Sequence, residues 1–545
     1  MHRETWNRNS MTKRSRKPVG GKHLLIDRLH ETVREHPDSI VLAKVNNRLR
    51  SLHEIVDANA RIEWIRLESP EGRRSYQQTL CLILLRAAEE LFPEKKLLID
   101  HSLGKGLYCQ LLNEEPCTDR IIGEIKNQML EIISANEPVI PESDACPDDK
   151  TTRTNKNIIR RAGLLPYRCG NTIACMNYPL LPLTGWLKTF DLRPREPGMI
   201  LCLPDEENIN VLPPFENQEK LFQVFHEYGR WLDILGIETP EDINRAIQTG
   251  EIGDLVKIAE GLHEKKIAYI ADEIQSGRKE RRIILIAGPS SSGKTTFIKR
   301  LEIQLRVNGM RPMAISLDDY FLDRDKTPRD KEGNPDFESL RAIDVERFNR
   351  DLEDLLAGGE VRLPRFDFVA GKSMHGGLSR LAPGEPVLIE GLHGLNDALT
   401  PDIPQEHKYK IYVSALTQLN LMPHLRIPTS DVRLLRRLIR GFKFRGHHAE
   451  ATLTQWQLVR MGEEKYIFPF QEDADVIFNS SIVYELNVLR TLTAPLLEAV
   501  PEDHDCFPEA ERILRLLFAF DPITPDEVPR NSILREYIGD SAFRY

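Results

Sequence analysis

The chain has 545 residues, 41% of them hydrophobic and 29% charged, with a formal net charge of −9. That length exceeds what one core supports, so two or three soluble globular domains are expected. The acidic balance excludes a bulk nucleic-acid trap, and no run of 18 uncharged apolar residues marks a membrane span.

In chain order, Met1–Lys22 is polar and basic and reads as a disordered tail without the apolar centre of a secretory signal. Val41–Val45 and Ile62–Leu67 alternate like strands, with Leu52–Val56 expected as a short helix between them. Gln77–Leu91 reads as a helix with Leu80, Ile83, Leu84 and Ala87 on one face, ended by Pro93. Residues 142–157 are polar and expected as a loop, and Thr184–Pro197 mixes strand-like pieces with proline and glycine. Helical stretches at 218–236 and 252–275 are expected as a connector, with Ser276–Arg282 as a hinge. Eight cysteines (Cys81, Cys109, Cys117, Cys146, Cys169, Cys175, Cys202, Cys506) form no C-x-x-C pair, which reads as reduced cytoplasmic thiols. From Ile283 onward, apolar runs at 283–287, 313–317, 387–389, 410–413 and 476–478 alternate with helical stretches. This predicts an α/β fold: a parallel P-loop NTPase sheet with helices on both faces, after an N-terminal α+β region.

Residues 283–296 read IILIAGPSSSGKTT. Gly288, four residues, then Gly293-Lys294-Thr295 complete the phosphate-loop pattern between a strand and a helix. Glycine permits the tight backbone path, so that successive N–H groups of Gly288, Ser290, Ser291, Ser292, Gly293, Lys294, Thr295 and Thr296 can line an anion site at a helix N-terminus. Lys294 is expected on the β- and γ-phosphates of ATP and Thr295 on Mg2+.

Asp318-Asp319 follows the 313–317 strand, at the end where open α/β sheets bind ligands. Asp318 there can orient an acceptor hydroxyl and take its proton, or serve as a turn or capping aspartate. VLIEG at 387–391 ends a second strand in Glu390, which is expected to hold Mg2+ or its water. Arg433, Arg436, Arg437, Arg440, Lys443 and Arg445 recur at helical spacing, as a mobile arginine lid over phosphates or as a solvated basic helix.

Residues 283–480 resemble the uridine kinase and phosphoribulokinase family. The matching pieces are GPSSSGKTT, SLDDYF at 316–321, NPDFESLRAID at 334–344, PRFDFVAGK at 364–372, VLIEGLHGLN at 387–396, RRLIRGFKFRG at 436–446 and ADVIFNSS at 474–481. The resemblance makes Asp318 the catalytic base and Glu338 the sugar-binding acid, with Asp336 as the second choice. It places Phe366, where the family has tyrosine, and Phe368 at the walls of the base pocket, with Phe337 nearby. The lid arginines fall on Arg437, Arg440 and Arg445. Two departures stand out: Gly371 occupies the position of the pyrimidine-reading histidine, and His447 that of a further lid arginine. The implied activity is ATP- and Mg2+-dependent phosphorylation of a nucleoside 5′-hydroxyl, uridine or cytidine first. Another small hydroxyl substrate (a sugar phosphate or pantothenate) or an ATP-switched RNA-binding or regulatory protein is the alternative. A nucleoside is the expected partner, with neither membrane nor nucleic acid, and a homo-oligomer stays open.

Residues 40–68 resemble a TGS domain, and 72–191 resemble the N-terminal region of threonyl-tRNA synthetases through EGRRSYQQTLCLIL at 71–84, IDHSLGKGLYCQ at 99–110 and YRCGNTI at 167–173. Gln77 and Cys81 fall on that family's histidine pair, Cys169 on its cysteine and Ile173 on its later histidine, so no editing activity is implied. The expected divisions are 1–22, 23–70, 71–240, a helical linker at 241–281, the kinase-like domain at 282–520 and a tail at 521–545. The tail is expected to pack as a short helix.

Overall fold

The computed structural model describes residues 22–33, 39–112, 116–142, 156–277, 281–329, 333, 335–367 and 370–544. The basic tail at 1–21, most of the 142–157 loop, residues 278–280 of the expected hinge, and Phe368 lie outside the described residues.

The apolar runs of the C-terminal half form strands β1 (Ile283–Ala287), β2 (Met313–Ser316), β3 (Val387–Glu390), β4 (Lys408–Ser414) and β5 (Val476–Asn479). They pair in the order β2-β3-β1-β4-β5, every neighbour parallel. β1 and β4 are buried at every position, as strands covered on both faces must be. The two-residue period splits β1 between two cores. Ile284 and Ile286 pack with Phe297 and Leu301 of helix α1 (Lys294–Val307). Ile283 and Leu285 pack with Phe348, Leu352 and Leu355 of the helix at Val345–Leu356. An antiparallel hairpin, Glu360–Asp367 with Lys372–Arg380, is added outside the sheet.

After the sheet's third and fourth strands come helices α2 (Thr429–Arg445) and α3 (Ala449–Tyr466). Near the end of the sequence lies a short helix α4 (Arg535–Ile538), whose Tyr537 is fully buried. Among the described residues, no helix is long and apolar enough to cross a membrane.

The N-terminal region is antiparallel. Ile40–Val45 pairs with Arg48–Ser51 and with Ile62–Arg66. Leu52–Val56 is not a helix: Ile55–Asp57 is a strand, held by pairing with Lys22–Leu24, and long-range pairing overrides local preference over so few residues. The helix expected from Gln77 begins earlier, at Pro70, because Ser69 caps the Gly72 N–H and Pro70 takes the first turn. A four-stranded sheet (Lys96–Leu103, Gly106–Leu112, Asp191–Arg195, Gly198–Cys202) and a three-stranded one (Val139–Pro141, Leu165–Cys169, Thr172–Met176) share a core with that helix.

The expected connector is three helices, Glu219–Leu235, Pro240–Thr249 and Ile252–Ser276. The third is more than a connector. Its Ile267, Ile270, Ala271 and Ile274 lie in the same core as Phe297 and Leu301 of α1. Its Glu264 also accepts from the buried Arg300 guanidinium at 2.8 Å. The N-terminal region meets the sheet domain through Leu103, Tyr108, Phe222 and Phe225 against Tyr412, Leu416 and Ile477. An ionic chain runs along the same boundary. Arg512 donates to both oxygens of buried Asp431, in the first turn of α2, at 2.7 and 2.8 Å. It also donates to Glu509, which accepts from Arg74 at 2.9 Å.

Arg512→Ala leaves Asp431 buried without its cation, a loss of about 3–5 kcal/mol for a broken buried pair. Thermal unfolding of the full chain should show a midpoint several degrees lower; a shift within error would mean that water already shields Asp431.

Candidate active site

Gly288 follows β1, and a Cβ on it would lie 2.0 Å from the Val413 carbonyl oxygen of β4, so no larger residue fits. Gly293 has φ +88°, the left-handed region that glycine enters without cost, and opens α1. Ser291 holds φ +59°, an uncommon conformation for a residue with a Cβ. Lys294 Nζ donates to the Gly288 and Pro289 carbonyls at 2.8 and 3.2 Å. The Ser291 and Ser292 hydroxyls are buried and make no hydrogen bond among the described residues. Such donors suit a ligand rich in acceptor oxygens. Thr295, the second residue of α1, and Glu390, the last of β3, bring hard oxygen donors to the same edge, the chemistry Mg2+ requires. The residues present therefore fit a polyphosphate and Mg2+.

The arginine run lies on one continuous helix, α2, and divides into two sets. Arg433 and Arg436 are fully buried and belong to no lid. Arg433 pairs with Glu463 of α3 at 2.5 and 2.7 Å and donates to the Ser290 carbonyl at 3.1 Å. Arg436 pairs with Glu485 at 2.7 Å and donates to the Ser480 carbonyl. Glu463 also accepts the Ser290 N–H at 3.0 Å, and the Ser480 hydroxyl donates to the Ser292 carbonyl. Burial forces these cations to be paired, and the pairs then clamp the loop. Arg437 and Arg440, further along α2, reach the Ser290 hydroxyl at 2.8 and 3.5 Å. Lys443 donates to the Ile538 carbonyl at 2.6 Å, and Arg445 is exposed at the helix end. His447 is exposed too.

Asp318 and Asp319 separate in role. Asp319 accepts the Phe366 N–H at 3.1 Å and so ties the hairpin to β2. Asp318 stays open to solvent along the cleft, yet protein crowds it enough that lost hydration raises its pKa, against the pull of the Lys294 ammonium. Burial likewise pushes Glu390 up to about 7, with Lys294 opposing. Lys294 itself is pulled down by burial, with Glu390 and Asp318 holding it up.

Glu338 lies against Gly462 of α3, where a Cβ would meet its Cγ at 2.9 Å. Burial first, and the Glu463 carboxylate second, push Glu338 up to about 7, while Arg437 pulls the other way. Asp336 instead accepts the Tyr466 hydroxyl at 2.6 Å. His393, not singled out from the sequence, is buried beside Tyr466 with ring centroids 6.1 Å apart, and burial lowers it to about 4. Phe366 is buried edge-to-face on Phe321, whereas Phe337 is 41% exposed. Gly371 has φ +66°, and the Arg324 side chain fills the space where its Cβ would be, with Nε at 2.8 Å.

Glu463, Glu485 and Glu536 are the site's unanticipated acids. Glu463 falls in the stretch EEKY at 463–466 and Glu536 in the tail, where no motif marks them. Away from this site, Cys81 and Cys169 are buried, and Cys169 Sγ accepts from Arg86 at 3.3 Å.

Residues 283–486 match the profile of the Phosphoribulokinase / Uridine kinase family. A uridine kinase of Deinococcus deserti is 28% identical over 196 residues, 36% of this chain and 86% of that protein. A uridine kinase of Staphylococcus aureus is 28% identical over 200 residues, 36% of this chain and 87% of its own length. A solved chain from Bacillus stearothermophilus, described as a possible uridine kinase, aligns at 21% identity and TM-score 0.23, covering 37% of this chain and 89% of that one. The C-terminal region of this protein, residues 283–486, is thus a domain of the phosphoribulokinase / uridine kinase family.

Proposed function

We propose that this domain transfers a phosphoryl group from ATP to the 5′-hydroxyl of a nucleoside, uridine or cytidine first. The observation that carries the reading is the meeting of Lys294 with two strand-end acids, Asp318 and Glu390, at a phosphate loop fixed by buried arginines. ATP supplies the phosphoryl group, and Mg2+ offsets charge on its oxygens. Lys294 holds phosphate oxygens, with the N–H groups of the loop. Thr295 and Glu390 hold the metal or its water. Asp318 accepts the proton of the attacking hydroxyl, and its raised pKa makes it a better base. Arg437 and Arg440, already at Ser290, offset charge on the transferring group, and Arg445 extends that set. Glu338 binds sugar hydroxyls, with Asp336 as the alternative. The N-terminal region we keep as a TGS-like and synthetase-like module without editing chemistry.

A second reading, a sugar phosphate or another small hydroxyl compound, is favoured by Arg324 at Gly371. A guanidinium there suits an anionic group or an acceptor-rich ring edge better than histidine would. The deciding measurement is kcat/KM for uridine, cytidine, inosine, guanosine, adenosine, a pentose phosphate and pantothenate in parallel. Turnover of a pyrimidine nucleoside supports the first reading, and turnover of only the last two replaces it.

Asp318→Asn keeps the shape and removes the basic oxygen. kcat should fall about 10²- to 10⁴-fold with the ATP Kd nearly unchanged. A collapse of ATP affinity would instead move Asp318 to the metal.

Glu338 gives a pH test. Its pKa, about 7, lies above the ordinary 4.5, so the carboxylate is ionised above pH 7 and takes up a proton as pH falls through 7. The ion accepts sugar hydroxyls and the acid accepts them poorly. The nucleoside KM should therefore rise about tenfold from pH 8 to 6, following the ionised fraction. Glu338→Gln should show a higher KM with no such slope. The same slope in both proteins would remove Glu338 from substrate contact.

A further inference from the structure

The tail at 529–545 docks on the phosphate loop. Glu536 of α4 accepts the Thr296 N–H at 3.1 Å and the Thr296 hydroxyl at 3.0 Å. Ile533 lies 2.8 Å from where a Gly293 Cβ would stand, and the Tyr537 hydroxyl 3.6 Å from it. The Tyr537 ring lies under the Arg436 guanidinium, 5.3 Å from its centroid. Arg440 has Glu536 at 3.7 Å on one side and the Ser290 hydroxyl at 3.5 Å on the other. The segment is fastened independently of these contacts: Arg535 donates to the Pro525 and Val528 carbonyls, and Lys443 to Ile538. Ile533, Leu534, Tyr537 and Ile538 are buried.

The position of Glu536 has a chemical meaning. In a phosphate loop the first backbone N–H groups of the helix cradle phosphate oxygens, those past the lysine serving the phosphates nearer the nucleoside. Glu536 Oε2 therefore occupies the place of a phosphate oxygen at Thr296, while Oε1 faces Arg440. The carboxylate brings a negative charge to the N-terminus of α1, where it is favoured, and it engages Arg440, one of the cations that would offset phosphate charge.

We infer that the C-terminal segment is an internal competitor of the nucleotide: Glu536 holds the Thr296 donors and Arg440, and both are released together when a nucleotide phosphate takes its place. The inference rests on the reading of the loop as an ATP site. The device lowers apparent ATP affinity by the fraction of molecules in which Glu536 is seated, and it couples phosphate arrival to the availability of Arg440. Displacement needs only the glutamate side chain to swing out, since Ile533 and Tyr537 anchor the backbone.

The test is titration of the full chain with Mg2+ and ATP by calorimetry, beside thermal unfolding without nucleotide. Glu536→Gln keeps size and removes the charge. It should bind ATP about tenfold more tightly, within the usual range of intramolecular coupling, while unfolding at a lower temperature without ATP. Ile533→Ala, which loosens the segment on Gly293, should move both quantities the same way. Gain of affinity with loss of stability is a pattern that a purely structural cap cannot give. Unchanged or weaker ATP binding in both variants, with binding intact in the native chain, overturns the competitor and leaves the ATP site standing. No ATP binding in any of the three overturns both.

Discussion

Two buried ion pairs, Arg433–Glu463 and Arg436–Glu485, fix the phosphate loop, and the rest of the site depends on them. A buried guanidinium is costly unless its donors are satisfied; here further donors of both arginines go to carbonyls of the loop and of Ser480, and Arg433 Nε makes no hydrogen bond among the described residues. The loop carries an uncommon backbone at Ser291, and such a conformation persists only when its surroundings overdetermine it. Helical spacing does the remainder. Residues 433, 436, 437 and 440 lie along one side of α2, so the helix that clamps the loop with its first two arginines delivers the next two to Ser290.

The same helix is tied to distant parts of the chain. Its first turn holds Asp431, joined through Arg512 and Glu509 to Arg74 of the N-terminal region. Its last turns hold Lys443 and Arg440 against the tail. The N-terminal region and the C-terminal segment thus both reach the phosphate site through this helix, the segment also touching the loop directly at Gly293 and Thr296, although neither lies within the matched family domain.

What the sequence made legible follows from the range of the forces. β1 and β3 were readable because strands covered on both faces are apolar along their length, and β4 by its apolar run at 411–413; β2, at the sheet edge, is only partly buried and was readable by its short apolar run. The phosphate loop was readable because its backbone demands glycine at fixed positions, as the Val413 carbonyl oxygen, 2.0 Å from where a Gly288 Cβ would stand, shows. Asp318 and Glu390 were readable by their place at strand ends. Partners brought from far along the chain were not: Glu463, Glu485 and Glu536 carry no local signature, and their roles exist only after folding. The helix Ile252–Ser276 looked like a connector because its apolar face is legible but the surface it covers, Phe297 and Leu301 of α1, is not. Arg433 and Arg436 looked like lid residues because a charge run does not say which of its members turn inward.

The contrast also explains why the nucleotide end of the site is better specified than the acceptor end. Phosphate recognition uses backbone N–H groups, which the fold positions and which few sequences can imitate. In the proposed reading, acceptor recognition falls to side chains on the least regular parts of the domain: Glu338 in a turn, Phe366 on a hairpin outside the sheet, Arg324 in a short 3-10 turn. Gly371 sits in the turn of that hairpin, and the Arg324 side chain stands where a Cβ would be. In the proposed reading, selectivity for the acceptor can drift while the transfer chemistry stays fixed, because few side chains join the two ends: Arg437 touches Ser290 and offsets the Glu338 charge, and Glu463 accepts the Ser290 N–H and pushes Glu338 up. In that reading, those side chains are where acceptor and phosphate can sense each other within this domain.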